Sequence, residues 1–192
     1  MAVFDLLKFL TQKDFLQPQI SGFLETYSLY IIPILNPDGA EVYSRLNHNQ
    51  IDLNRDAKEL SQRESKVLRR VFDKIQPDLC LNLHDQRTIF GLKKKYPATI
   101  SFLSPASDPE KVITPSRKEA MKDIVKMNSF LQHLIPNQVG RYDDKFNDAC
   151  FGDSFQKENI PVILFEAGHY PGDYQREKTR ELIFYSFLSL FD

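Results

Sequence analysis

With 192 residues, 42% apolar and 27% charged, the chain is long enough for one globular domain with a substantial core and lies outside the composition of disordered polypeptides. Twenty-five basic residues balance 26 acidic ones, a net charge of −1. No field of one sign is available to hold nucleic acid or an anionic membrane, and neither is expected as a partner. Cys80 and Cys150 are distant and form no CxxC, which excludes a disulfide framework and a closed structural zinc site and leaves two buried thiols.

In chain order, the apolar start is interrupted by Asp5 and Lys8, and no small-residue cleavage site follows. The spacing of Val3, Leu6, Leu7 and Leu10 predicts an amphipathic helix over 2–14. No stretch reaches the roughly 18 apolar residues of a membrane span, so the chain as given is expected to be soluble and cytoplasmic. Residues 27–35 are too uniformly apolar for a surface strand and predict a buried one. The breaker Asn36-Pro37-Asp38-Gly39 predicts a turn. A helix is expected over 58–75, with Ser61-x-x-Glu64 as a capping box and Pro77 as its stop.

A second buried strand, 78–83, ends in His84-Asp85; 86–98 has no period and reads as loop. A strand at 99–103, a helix over 116–134 opened by Thr114-Pro115, an irregular stretch at 140–149, a third buried strand at 161–165 and a last helix over 174–191 complete the pattern. Buried strands alternating with helices predict an α/β fold, a mostly parallel or mixed central sheet flanked by helices, as a single domain over 1–192. In such sheets ligands bind beyond the carboxyl ends of the strands. Asn36, His84 and Glu166 all fall at predicted strand ends.

Each candidate residue has two readings. His84 is either a metal-binding imidazole or a hydrogen-bonded structural residue. Glu166, leaving a buried strand, suits general-base work, or caps a helix or closes a salt bridge. Asn54-Arg55 places an amide beside a guanidinium fork that matches a carboxylate, or forms surface ion pairs. No GxSxG elbow, GxGxxG, phosphate-binding GK[ST] loop or HExxH helix is present.

At these residues the chain resembles the zinc carboxypeptidases related to carboxypeptidase A. Four segments carry the resemblance in order: Pro33–Gly39, Arg45-x-Asn47 with Ile51–Arg55, Asp78–His84, and Phe165–Gly168. The resemblance implies that His84 is a zinc ligand and that Glu166 is the base activating zinc-bound water. It implies further that Arg45 stabilises the oxyanion, that Asn54 and Arg55 hold the terminal carboxylate of a peptide, and that Tyr142 contacts substrate. The implied cofactor is zinc, and the implied reaction is removal of a C-terminal residue from peptides.

The family's other two zinc ligands come from an upstream H-x-x-E motif, whereas histidines here stand only at 48, 84, 133 and 169. The expectation is therefore a chain truncated at its N-terminus, retaining one ligand, inactive alone, and open to self-association through an exposed sheet edge. A non-catalytic binder of carboxylate-bearing peptides and a zinc deacylase of N-acyl amino acids are the alternative functions.

Overall fold

The computed structural model describes residues 1–12, 17–86, 88–92 and 95–191. A four-stranded sheet has β1 (Cys80–Asp85), β2 (Ile100–Leu103), β3 (Val139–Arg141) and β4 (Val162–Ala167) in the order β1-β4-β2-β3. β1 pairs parallel to β4 and β3 parallel to β2, while β2 and β4 run antiparallel, so the sheet is mixed. β4 is the central, most apolar strand, with Val162, Ile163 and Phe165 fully buried, as a strand flanked on both edges and both faces must be.

Helices cover both faces. On one side α1 (Ala2–Leu10), α5 (Pro115–Leu134) and α7 (Glu177–Phe191) enclose Ile100, Phe102, Ile163 and Phe165 in the main core. On the other, α4 (Arg63–Ile75) and α6 (Phe151–Lys157) close over Val162 through the stacked rings of Phe72 and Phe155. α1 buries Ala2 and Leu6 with Val3 and Leu10 packed behind, close to the predicted face, and Arg180 of α7 holds Asp5 through two bonds of 2.6 and 2.5 Å. α1 ends at Leu10, four residues short of the predicted boundary; Thr11 turns its hydroxyl back onto the Leu7 and Lys8 carbonyls, and 13 and 14 lie outside the described residues. No helix among the described residues is long and apolar enough to cross a membrane.

Three expectations are corrected. Residues 27–35 form no strand: the segment follows α2 (Gln17–Thr26), pairs with no strand and leaves Tyr30, Ile32 and Ile34 exposed. The Asn-Pro-Asp-Gly breaker is not a bare turn but the start of a short helix, α3 (Pro37–Glu41), with Asn36 as its cap. Helix α4 begins at Arg63, not 58, because Asp56 takes the Ser61 N–H and hydroxyl and the Gln62 N–H, leaving Ser61 no part in a capping box. Two short elements, α6 and β3, occupy stretches for which no periodicity was legible.

Candidate active site

The candidate residues meet at the carboxyl ends of β1 and β4. Register pairs His84 with Glu166 across the parallel strands, and side-chain alternation sends both toward the α4–α6 face with Asn82 and Val162. Gly168 ends this segment for a steric reason: a Cβ there would lie 1.9 Å from the Ala98 carbonyl oxygen. The close approach lets the Gly168 N–H reach the Thr99 carbonyl at 2.9 Å and fixes the exit of β4 just beyond Glu166.

The loop carrying Arg45 is built from local hydrogen bonds. The Asn36 carbonyl oxygen of the side chain accepts from the Gly39 N–H at 2.9 Å while its amide donates to the Arg45 backbone carbonyl at 3.2 Å. Buried Asn47 accepts from the N–H groups of Asn49 and Ile51 and donates to Gln62. Asp52 joins the two arginine segments, taking Arg45 Nε at 2.7 Å and the Asn54 N–H at 3.0 Å. Asn54 and Arg55 sit on a single 3₁₀ turn, Leu53–Arg55, anchored by buried Leu53. Arg55 Nη1 donates to its neighbour's carbonyl at 2.6 Å and to Cys150 Sγ at 3.0 Å, and the Ala57 N–H to Ala149 O bond ties this turn to the start of α6.

Tyr142 enters from the end of β3, its N–H bonded to the Phe102 carbonyl at 3.0 Å. The loop after it is held by Asp144, which pairs with Lys111, Arg141 and the fully buried Arg117. The Lys111 bond, followed by that of Arg117, pulls the Asp144 carboxyl down to about 2.

Charges from several of these segments act on the two strand-end groups and on Tyr142. Glu166 is 7% exposed, and its carboxylate accepts no hydrogen bond among the described residues. Burial, then repulsion from Asp85, pushes its carboxyl up to about 7, against the pull of Arg45. Burial, then the positive charges of Arg45 and Arg55, brings the His84 imidazole down to about 4, so it is neutral near pH 7, and its buried Nε2 has no hydrogen-bond partner among the described residues. Burial and the Glu166 charge raise the Tyr142 phenol, with Arg45 and Arg55 opposing. The charge of Arg45 is thus felt at His84, Tyr142 and Glu166, and that of Arg55 at His84 and Tyr142.

A neutral imidazole with an unpaired buried nitrogen suits one position in a zinc shell. A catalytic zinc takes three protein ligands, and among the described residues no group of three His, Cys, Asp or Glu side chains is placed to hold an ion. His48 and His133 are exposed, and His169 faces Arg176 at 3.5 Å. The described residues do not by themselves make a zinc centre.

Sequence reasoning missed Asp52 as the bridge between Arg45 and Asn54, and Cys150 as a partner of Arg55. Asp52 was legible, since an acid two residues before Asn54 is placed for an Asx turn. Cys150 was not, because 95 residues separate it from Arg55.

Residues 1–59 match the family model for zinc carboxypeptidases. No match is found among curated proteins. Among solved structures, a protein described as a carboxypeptidase A from Shewanella denitrificans OS-217 superposes with a TM-score of 0.72 at 18% identity, covering 99% of this chain and 51% of its own. The murein-tripeptide amidase MpaA from Escherichia coli O157 gives a TM-score of 0.44 at 18% identity, over 81% of this chain and 64% of its own. This chain thus spans about half the length of the first structure, and that likeness is one of fold. The family match is thus confined to residues 1–59, and beyond it the chain is similar to a carboxypeptidase in fold.

Proposed function

We propose that this chain carries the carboxylate-recognition and proton-transfer part of a metallocarboxypeptidase-type hydrolase site, one that acts at the C-terminal residue of a peptide. The observation that supports it most is the convergence of Arg45, Asn54, Arg55, His84, Tyr142 and Glu166, drawn from five separate segments, on the rim of β1 and β4.

In this reading Arg55 and Asn54 hold the terminal carboxylate, the guanidinium supplying charge-assisted donors and the turn at 53–55 fixing their direction. Arg45 lies where negative charge grows on the carbonyl oxygen, the place where a fixed donor is worth most. Glu166, with a carboxyl near 7, can take a proton at neutral pH and return it to the leaving amine. His84 would supply one metal ligand. The chemistry that zinc supplies in such enzymes is polarisation of the carbonyl and activation of water.

Calorimetry with a peptide bearing a free C-terminal carboxylate and with its C-terminal amide tests the clamp. The acid should bind about 10–100-fold tighter, the equivalent of about 1.5–3 kcal/mol for a hydrogen bond to a charged group. Arg55→Ala should erase the difference; equal binding of acid and amide by the wild type would sink the reading.

A second reading, binding without hydrolysis, is favoured by the lack of a three-ligand set among the described residues. After dialysis against excess zinc the chain should retain well under one ion per molecule. One firmly held zinc, lost in His84→Ala, would reverse that expectation and call for a direct assay of turnover.

A further inference from the structure

Helix α5 is covered on one side only. Ala120, Met127 and Leu131 are fully buried in the main core, whereas Val125 stands 63% exposed. Met121, Ile124, Val125 and Asn128 follow the i, i+3, i+4, i+7 spacing of a single helix face. That face looks across to β3, the outer strand of the sheet, whose far edge pairs with no strand among the described residues. Residues 135–138 carry the chain straight from α5 into β3, so the two elements run in opposite senses, with Asn128 toward Val139 and Met121 toward Arg141.

Between them runs a groove of about 380 Å³, floored by Phe102 and walled by Met121, Ile124, Val125 and Val139. That volume is within the range of small-molecule pockets. In register Phe102 lies beside Arg141 on one side and Phe165 on the other, which places the groove on the α5–α7 side of the sheet. His84 and Glu166 turn to the opposite side. Phe102 and Arg141 also set the backbone of Tyr142, the first by accepting its N–H at 3.0 Å and the second by preceding it. The groove thus backs onto the candidate active site without entering it.

Charge is concentrated at one end. Arg141, its side chain 72% exposed, donates from Nη2 to Asp144 Oδ2 at 3.1 Å, and its other guanidinium donors bond to nothing among the described residues. The same oxygen receives Nη2 of Arg117 at 3.0 Å, and Oδ1 receives Lys111 at 3.1 Å. Arg117 is 1% exposed, and Asp144 is its sole acidic partner among the described residues. A buried guanidinium cannot shed its proton, so Arg117 has first claim on that carboxylate. Three cations share one anion, and Arg141, the most exposed of them, is left without a counterion of its own.

The geometry points to a ligand site for a free medium-chain alkyl carboxylate, its head on Arg141 and its tail along Met121, Ile124 and Val125 toward Val139. The unspent guanidinium donors match a planar carboxylate, and the apolar walls match a chain that asks for no hydrogen bonds. The flexible Met121 thioether adapts to such a chain. A free ligand fits better than one embedded in a bilayer, because a net charge of −1 gives the chain no field toward an anionic surface.

The test is calorimetry on the full chain with octanoate, butyrate and octanol, each below the concentration at which it aggregates. Octanoate should bind at one site, at least about tenfold tighter than butyrate, which keeps the head, or octanol, which keeps the tail; a tenfold ratio is 1.4 kcal/mol. Arg141→Met should bring octanoate down to the level of octanol, and Val125→Glu should abolish the binding of both. Both side chains are exposed, so neither substitution empties the core. Arg55→Ala, which disables a carboxylate site in the proposed active centre, should leave octanoate binding unchanged. Octanoate binding lost in Arg55→Ala, equal binding of octanoate and octanol by the wild type, or binding unmoved by both groove variants overturns the inference. So does an absence of octanoate binding; a mass by light scattering that falls in Val125→Glu would then assign the groove to a second copy of the chain.

Discussion

Residues 161–165 and 27–35 are near-equal in apolar content and opposite in fate. The first run forms most of β4, hydrogen-bonded to β1 on one edge and β2 on the other, with helices on both faces. The second leaves Tyr30 68%, Ile32 42% and Ile34 55% exposed, and among the described residues none of its amides from 28 to 35 bonds to a backbone carbonyl. Its ends are tethered, Tyr27 against Phe23 and Phe191, and Asn36 against Gly39 and Arg45. Hydrophobicity alone does not make a strand. A strand needs a neighbouring edge to satisfy its peptide groups, and β1 pairs on one side only among the described residues.

The most demanding test of that contrast is truncation in each run. Phe165 is fully buried and meets Phe102 edge-on at 5.0 Å and Phe187 at 5.5 Å. Phe165→Ala should cost about 3–5 kcal/mol in urea unfolding, the transfer and cavity terms together. Ile34→Ala should stay within about 0.5 kcal/mol, as an exposed substitution does. Equal losses at the two positions would break the comparison.

A smaller effect separates the tip of β4 from its interior. Glu166 is buried yet must ionise, and its folded-state value, about 7, lies above its unfolded value of about 4.5. Between those values the folded state binds more protons, so this group's contribution to stability falls as pH rises through the window. Glu166→Gln should therefore stabilise the chain by about 1–3 kcal/mol at pH 8, with the gain vanishing below pH 4. His84 works in the opposite sense. Its folded value, about 4, lies below the ordinary 6.5, so its contribution is lost as pH falls from 6.5 to 4. Thermal melts of wild type, Glu166→Gln and His84→Ala between pH 4 and 8 separate the two slopes. A Glu166→Gln variant less stable than wild type at pH 8 would mean that the carboxylate is supported rather than strained.

The parts of this architecture legible in the sequence are those decided locally. β4, β1 and α5 follow from apolar runs and from the Thr114-Pro115 start, where the Thr114 hydroxyl accepts the Arg117 N–H. The strand-end positions of His84 and Glu166 could be placed for the same reason. Asn54 and Arg55, adjacent in sequence, are delivered by one turn and could be read as a pair. What was not legible depends on distant segments. The failure of 27–35 to pair is a fact about its neighbours, and the Asp85–Arg176 ion pair closes over 91 residues. The seven residues of α6 carry too short a period to read and are held by packing of Phe151 and Phe155. Asp56 displaced the capping box because a carboxylate outcompetes a hydroxyl for the same N–H groups.

The least perturbing substitutions test what the bare run does instead of pairing. Ile32→Lys and Ile34→Lys should each leave stability unchanged within about 0.5 kcal/mol, because neither side chain is buried. An exposed apolar run, in a sheet whose β1 edge is unpaired among the described residues, is expected to favour self-association, and a charge placed on it opposes close approach of a second copy. Light scattering should therefore find an apparent mass that rises with concentration for the wild type and rises less for either lysine variant. If the wild type stays monomeric at every concentration, the face is covered from within the molecule. The contrast with β4 would then be one of pairing alone and no longer of exposure.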